Sequence, residues 1–464
     1  MKPFIAWKEK LNNVLFAHPI RKDVTRIAWP VLAEMLLGSL FSMIDMMMLG
    51  RMADTAAAAA SVAAVGITNQ PLFIGLALVQ SLNVGGTALV SRFIGANQPH
   101  KVENTVKHVI LLNLFLFAIP LSLLGILFTD QIMTVMGAYK DTIDMGRLYF
   151  KIIMLGFIFQ ALNFSLAACL RGAGDTRLPM KINLAVNFLN VIGNAVLIYG
   201  LFGFPKLGII GAGISTSLSH LLACLILFSY IFKGKSIVSL SLSPFQFHKD
   251  TIYNLGRIGV PASLEQISLR LGIVLFARIV ASLGTVTFAA HQICLSILGL
   301  SFNPGQAFGI AASALVGQSL GAGKPGKAQQ YASETRKIGS VVSSFIAMIF
   351  FLFGPQIVRL YTHDPEIITN AALALKVIAL VQPFQSSQLI LAGGLRGAGD
   401  TLWPLLSTFV GIMGVRILLS YIFVVLLCLG LVGAWMAVFM DQLVRWALVY
   451  VRFQKGKWKY VALG

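Results

Sequence analysis

Apolar residues run through this chain in long blocks separated by short polar stretches, and a block such as Val109–Met136, nearly free of charge, is long enough to carry a helix across a bilayer core. Twelve blocks can be counted, at roughly 24–50, 62–91, 109–136, 146–170, 178–202, 207–232, 256–283, 286–316, 338–360, 367–395, 402–428 and 430–451. They predict an all-α integral membrane protein with twelve transmembrane helices.

The polar stretches between the blocks are themselves patterned. RGAGDT occurs at Arg171–Thr176 and again at Arg396–Thr401, 225 residues apart, each time closing a long apolar run and shortly preceding a proline (Pro179, Pro404). The flanks match as well, FQALNFSLAACL (Phe159–Leu170) against FQSSQLILAGGL (Phe384–Leu395). ALVSRFIGA (Ala88–Ala96) and ALVGQSLGA (Ala314–Ala322) recur at an offset of 226, with Pro99 and Pro325 shortly after them. Two motifs at one spacing identify an internal duplication of six helices. An even number of helices per repeat puts the halves in one orientation about an axis along the membrane normal, a transporter architecture with a site expected between the halves near the midplane. The expected organisation is a basic tail over 1–22, a first six-helix bundle over 23–232, a linker over 233–255 marked by Ser239, Ser241, Ser243 and Pro244, a second bundle over 256–452, and a basic tail over 453–464.

Composition agrees with a membrane location: 57% hydrophobic residues and 11% charged, with a mean hydropathy of +0.81, lie far from a soluble domain, whose charged share is about a quarter. The net charge of +19 is explained by orientation. Of the 36 Lys and Arg, 25 fall on the side of the two termini, 7 on the opposite side and 4 within helices. Basic residues stay in the cytoplasm, so both termini are expected there, in the inner membrane of a prokaryote. Anionic inner-leaflet lipid then supplies the counter-charge, and no nucleic-acid partner is implied. The first 22 residues lack the apolar h-region of a signal peptide. Cys169, Cys224, Cys294 and Cys428 sit singly in apolar runs without metal spacing and are read as packing residues.

Several stretches taken together resemble the multidrug and toxic compound extrusion (MATE) family: Pro30 to Asp45 followed by MMMLGRM, the paired RGAGDT turns, GLFGFPKLGIIGAG (Gly200–Gly213) and AAHQI (Ala289–Ile293). The resemblance covers nearly the whole chain and within the family is strongest to the DinF-like branch. It implies export of organic cations, and it matches the family's essential aspartate of the first helix to Asp45.

The residues themselves also point to Asp45. An ionisable group inside a membrane helix is costly unless it is paired or functional. Asp45 stands 19 residues beyond Arg26, roughly 28 Å along a helix, which places it in the outer half, short of Arg51. An aspartate at that depth is suited to exchanging a proton or a cation. In the fifth block Asn183, Asn187, Asn190 and Asn194 recur at i, i+4, i+7 and i+11, one stripe of a helix, and Asn194 reaches the depth of Asp45. Asn190 and Asn194 are expected to join Asp45, with Gln160 and Asn163 contributing from the fourth helix, while Asn183 is read as an interhelical hydrogen bonder. Relatives often carry an acidic residue where this chain has Asn194.

The second half differs at these positions. Aligning Pro30 with Pro261 puts Glu265 opposite Glu34 but Phe276 opposite Asp45, and aligning Tyr199 with Tyr421 puts Arg416 opposite Asn194. Sodium-coupled NorM-like members have an acid on the tenth helix where this chain has Gln385, with Gln388 nearby, so sodium coupling in the second half is disfavoured. Glu34, Glu265, Arg270 and Pro30 are read as gating or structural elements. Asp441 and Arg445, at i, i+4, are expected to satisfy each other, and His291 to be a packed, hydrogen-bonded residue.

Met43, Met46, Met47 and Met48 around Asp45 offer a soft surface for varied apolar ligands, or simply face lipid. The reading is a monomeric, secondary active exporter of amphipathic organic cations by proton antiport, with small-molecule and lipid partners, no cofactor and no catalytic or metal site. A sodium site around Asp45 and a lipid or lipid-linked oligosaccharide flippase remain the alternatives.

Overall fold

The computed structural model describes residues 19–51, 55–234, 236–241 and 245–463, with backbone only over 55–59. The described residues form helices and no strand. Twelve long helices follow in order: α1 Pro19–Gly50, α2 Thr55–Gly95, α3 Pro99–Leu127, α4 Lys140–Gly172, α5 Arg177–Tyr199, α6 Ile209–Phe232, α7 Lys249–Ala281, α8 Thr285–Gly321, α9 Pro325–Arg359, α10 Pro365–Gly397, α11 Leu402–Leu426 and α12 Gly430–Lys455. Eleven are long and apolar enough to cross a membrane. The other, α7, has 33 residues and carries Glu265, Arg270 and Arg278. The twelve-helix, all-α membrane fold expected from the duplicated pattern is therefore the fold adopted.

Several helices outrun their apolar blocks. α9 begins at Pro325, well before the block near residue 338, because its polar first turns continue the helix beyond the hydrocarbon. The block expected over 109–136 divides instead: α3 ends at Leu127, Phe128 leaves helical geometry (φ −109°, ψ 31°), and a short helix Thr129–Val135 follows. α3 contains a π-helical stretch at Asn113–Ala118, and α11 contains two, Val410–Arg416 and Tyr421–Leu426.

The chain forms two compact units. One holds Ala33–Val90 and Gln98–Gly256; the other holds the described residues 19–32, Ser91–Asn97 and 257–463. They are called here the N-terminal and C-terminal units. The division cuts α1 two residues after Pro30, whose missing N–H leaves a carbonyl of the preceding turn without its helical partner. The first part of α1 is held in the C-terminal unit by Ile20, Val24, Ile27 and Ala28, packed with Phe308, Ala311, Leu315 and Ile390. Arg21 Nε also donates to Glu334 Oε2 at 2.9 Å, and Tyr331 Oη to Asp23 Oδ2 at 2.6 Å.

The repeated motifs have a common geometric cause. In each RGAGDT the second glycine takes a positive φ, 91° at Gly174 and 84° at Gly399. In the first copy Asp175 N donates to Leu170 O and Gly174 N to Arg171 O; in the second Asp400 N donates to Leu395 O and Gly399 N to Arg396 O. This is the Schellman end of a helix, which favours glycine at that position. The first glycine permits close approach instead. A Cβ at Gly172 would meet Thr87 O, and one at Gly397 would meet Ser313 O. Thr87 and Ser313 each immediately precede an ALV motif, so the two repeated motifs of each half pack against each other.

Within the C-terminal unit the ends of α2 and α8 also meet. A Cβ at Gly95 would meet Gln318 O, and one at Gly321 would meet Arg92 O, so each copy of the ALV motif lays a glycine on the other's backbone. The segment after α12 closes the same region. Trp458, 1% exposed, stacks on Phe453 with ring centroids 5.3 Å apart, Arg92 Nη2 donates to Val461 O at 3.1 Å, and Arg257 Nη1 donates to Ala462 O at 3.2 Å. Much of the expected C-terminal tail is thus packed structure. Part of the linker is also fixed: Ser241 N and Oγ donate to Glu103 Oε1 at 2.8 and 2.6 Å, and His248 N donates to His108 Nε2 at 3.2 Å. The residues 1–18, Lys235, Ser243 and Pro244 of the expected tail and linker lie outside the described residues.

Because Gly321 lies on a backbone carbonyl, which cannot swing aside as a side chain can, Gly321→Leu is expected to lower the thermal unfolding temperature in detergent or prevent accumulation of the folded protein. Gly299→Ala on the same helix, where a Cβ meets nothing within 4 Å, is expected to leave the melting curve in place.

Candidate functional site

Asp45 lies near the end of α1, half-buried, and meets the amides of α5. Asn194 Nδ2 donates to Asp45 Oδ1 at 2.8 Å. With the Asn190 carboxamide oriented to satisfy both its ends, its Nδ2 donates to Asp45 Oδ2 at 3.2 Å. Its oxygen then accepts from Thr216 N at 3.1 Å and Ser215 Oγ at 3.2 Å on α6. Tyr199 Oη donates to Met48 O at 2.7 Å, tying the end of α5 to α1 beside this cluster. Asp45 is thus held by neutral donors. Asn194 Oδ1 is buried and has no donor.

The asparagine stripe of α5 divides into two clusters. Asn183, at its other end, donates through Nδ2 to Glu34 Oε1 at 2.7 Å, and Arg171 Nη2 reaches the same oxygen at 2.7 Å. Asn163 donates to Asn183 Oδ1 at 3.2 Å, so it belongs with Glu34 and not with Asp45. Gln160 and Asn187 are half-buried and stand outside both sets of bonds. Met43 is 42% exposed, whereas Met46 packs against the core formed by Leu49, Val65 and Ile198.

The C-terminal unit repeats the Glu34 cluster. Arg396 Nη2 donates to Glu265 Oε1 at 2.6 Å and Thr408 Oγ1 to the same atom at 3.2 Å. Arg396 and Thr408 are twelve residues apart, as are Arg171 and Asn183. The arginine of each RGAGDT turn therefore binds the glutamate four residues after the internal proline of α1 or α7, Pro30 or Pro261. Sequence reasoning missed this partnership. Its only signal was that two arginines and two glutamates recur at nearly equal spacing. A carboxylate this deeply placed needs such a partner, because removing a charge from water costs several kcal/mol.

Farther along α11 the sequence pairing needs correction. Asp441 bonds Arg416 and not Arg445: Arg416 Nε donates to Asp441 Oδ2 at 2.9 Å, and Nη2 reaches the same oxygen. Arg445 Nη2 donates instead to Thr408 Oγ1 at 3.1 Å. Those partners stand on a neighbouring helix whose π-helical stretch, Val410–Arg416, ends at Arg416. Phe276 packs with His291 and Trp435 at centroid distances of 5.4 and 6.4 Å. His291 is packed as expected, but neither ring nitrogen has a hydrogen-bond partner. Gln385 and Gln388 are buried with both carboxamide atoms unpartnered, and Arg270 is exposed on α7. Among the described residues no group of His, Cys, Asp and Glu could hold a metal ion.

The two halves of the chain match one family. The MatE family profile covers residues 30–196 and 261–422, beginning in each half at the proline that precedes the bound glutamate. The chain belongs to the MatE family. It is a multi-pass membrane transporter of that family, 30% identical over 448 residues to the probable multidrug resistance protein NorM of Thermotoga maritima, covering 95% of this chain and 93% of that protein. It is 26% identical over 433 residues to the uncharacterized transporter YisQ of Bacillus subtilis, covering 93% and 94%. Solved MATE structures share the fold. One in the bent conformation aligns with a TM-score of 0.86 at 22% identity over 96% of this chain and 97% of that one. An outward-facing multidrug resistance MATE transporter of the MOP superfamily gives 0.86 at 23% over 94% and 96%.

Breaking either glutamate pair from the arginine side should leave an uncompensated carboxylate. Arg396→Gln is expected to destabilise the MATE chain by about 3–5 kcal/mol, and Arg171→Gln by less, because the Glu34 side chain keeps 11% exposure against 2% for Glu265. Adding Glu265→Gln to Arg396→Gln should recover most of the loss in thermal melts. If the double variant melts no higher than the single one, the pair is not what holds the region.

Proposed function

We propose that this chain is a secondary active multidrug efflux transporter that exports amphipathic, cationic organic compounds in exchange for protons, with Asp45 as the coupling group. It acts as a monomer in the cytoplasmic membrane of a prokaryote with both termini inside; the distribution of Lys and Arg supports that orientation. The relatives named as probable multidrug resistance proteins support multidrug efflux.

One observation carries the choice of Asp45. Among the described residues, Glu34, Glu265 and Asp441 each bond a guanidinium, whereas Asp45 bonds only amides. A carboxylate neutralised by a fixed arginine has little reason to take up a proton or an organic cation. One held by neutral donors keeps its charge available for either. In the cycle, Asp45 as carboxylate attracts the cationic substrate, and a proton arriving from outside neutralises it and releases the substrate outward. A ligand shifts a conformational equilibrium only through different affinities for the two states, so the same group must bind proton and substrate unequally in them. One proton moving inward supplies about 2.3 kcal/mol per 100 mV, in addition to the pH gradient. The bend that accompanies the change is assigned to Pro30, inside α1. Exposed Met43 offers an adaptable wall to apolar substrate groups.

Sodium is the second reading, favoured by one feature: Asn194 Oδ1 is a buried oxygen without a donor beside Asp45, the kind of hard ligand an alkali cation takes.

Efflux from proteoliposomes under imposed gradients separates these readings. Wild-type protein is expected to transport an amphipathic cation under a proton gradient without sodium. Asp45→Asn, which keeps size and polarity but cannot titrate, should fall to the level of empty vesicles while melting like wild type. Transport by Asp45→Asn at the wild-type rate would overturn the assignment, and transport only under a sodium gradient would replace the proton with sodium.

A further inference from the structure

Proton coupling at Asp45 uses none of the charges buried in the C-terminal unit, and those charges do not cancel. Arg396, Arg416 and Arg445 are linked with only two carboxylates, Glu265 and Asp441. A side chain at Gly411 would meet Asp441 Oδ1 and the Cγ and Cδ of Arg445, so this carboxylate lies beside the aliphatic stem of Arg445 while it bonds Arg416. Arginine does not lose its proton in proteins, and the set therefore carries one excess positive charge. Arg445 is 5% exposed, and its Nε has no partner.

The outer end of this set has a built lining. Phe276 stands at the position that corresponds to Asp45, and the Arg416 guanidinium lies 5.7 Å from its ring centroid. Beside it are His291 and Trp435, both 0% exposed, with ring centroids 5.5 Å apart. Trp435 Nε1 can only donate, and it has no acceptor; the two ring nitrogens of His291 are likewise unpartnered. A guanidinium, an unused indole N–H and an imidazole with unpartnered nitrogens, gathered on one aromatic cluster, offer donors to a negative group. At the corresponding depth the N-terminal unit presents a carboxylate.

We propose that Arg416, Trp435 and His291 form a binding site for a monoanionic group, either a halide ion or the carboxylate of an amphiphilic substrate. The halide source stands independently of the efflux function, whereas the carboxylate source rests on it and extends its substrates to molecules with an acidic group.

The test is equilibrium binding to the purified full-length protein in detergent, without any gradient. Thermal unfolding and tryptophan fluorescence are followed while chloride replaces isethionate at constant ionic strength, and separately while octanoate is added, with octanol as the uncharged control. A saturable response to chloride or to octanoate, absent with octanol, is expected. A response to chloride alone identifies an inorganic ion site, and one to octanoate alone identifies a substrate carboxylate. Arg445→Gln removes the excess charge yet leaves both carboxylates their arginines, and Trp435→Phe removes the N–H donor without changing charge. Trp435→Phe should weaken the midpoint about tenfold, roughly the loss of one charge-assisted contact; Arg445→Gln, which removes the excess charge without removing a contact, should weaken it as well, and Arg445→Lys should restore it. Asp45→Asn should leave the midpoint unchanged, so failure of proton coupling and failure of the anion site are read separately. No saturable response in wild type, or equal midpoints in wild type, Arg445→Gln and Trp435→Phe, would overturn the proposal.

Discussion

A carboxylate set among lipid-facing helices must be neutralised, and in this chain that requirement fixes the architecture of both halves. Glu34 and Glu265 occur midway along the first helix of each repeat, and in each case the neutralising guanidinium comes from the turn that ends the fourth helix. A glycine at positive φ ends that helix three residues after the arginine, while another glycine lets the helix lie on the second. A second donor to the same carboxylate oxygen, Asn183 or Thr408, comes from the fifth helix. Four helices of each half are thus registered by one buried ion pair and the close contact beside it.

Once that frame is duplicated, the outer ends of the halves are free to differ. In the first, Asp45 is surrounded by carboxamides whose hydrogen bonds hold it without cancelling its charge. In the second, an aromatic ring takes that place, and the polar groups form a row of arginines and acids along α11 and α12. The structural elements are shared, and what distinguishes the halves is the chemistry they present.

Much of this was legible in the sequence because the bilayer makes hydrophobic length a direct signal. The helix count and the duplication followed from block lengths and from RGAGDT. The association of Asp45 with Asn190 and Asn194 followed from helical spacing and depth. Local periodicity could not show which residues on different helices share an oxygen. Asn163 bonds Asn183, which stands seven and eleven residues along α5 from Asn190 and Asn194, and only the crossing of α4 and α5 assigns it to the Glu34 cluster instead. Asp441 and Arg445 meet the i, i+4 rule, yet a π-helical stretch in the adjacent helix supplies Arg416 as the partner. The polar ends of α9 and the packed segment after α12 escaped a reading based on apolar runs, since their helices and contacts continue where the hydrocarbon ends.

The beginning of α1 has a consequence for synthesis. Its partners in the C-terminal unit are far along the chain: Arg21 and Glu334 are 313 residues apart, and Asp23 and Tyr331 are 308 apart. At about 5–20 residues per second, a ribosome needs roughly 15–60 s to make the intervening chain. During that interval Arg21, Asp23 and the apolar face of Ile20, Val24 and Ile27 have yet to meet their final neighbours. The nascent helix must wait in the membrane or in the keeping of the insertion machinery. Assembly of the C-terminal unit is therefore delayed at its first element by the order in which the ribosome delivers the rest.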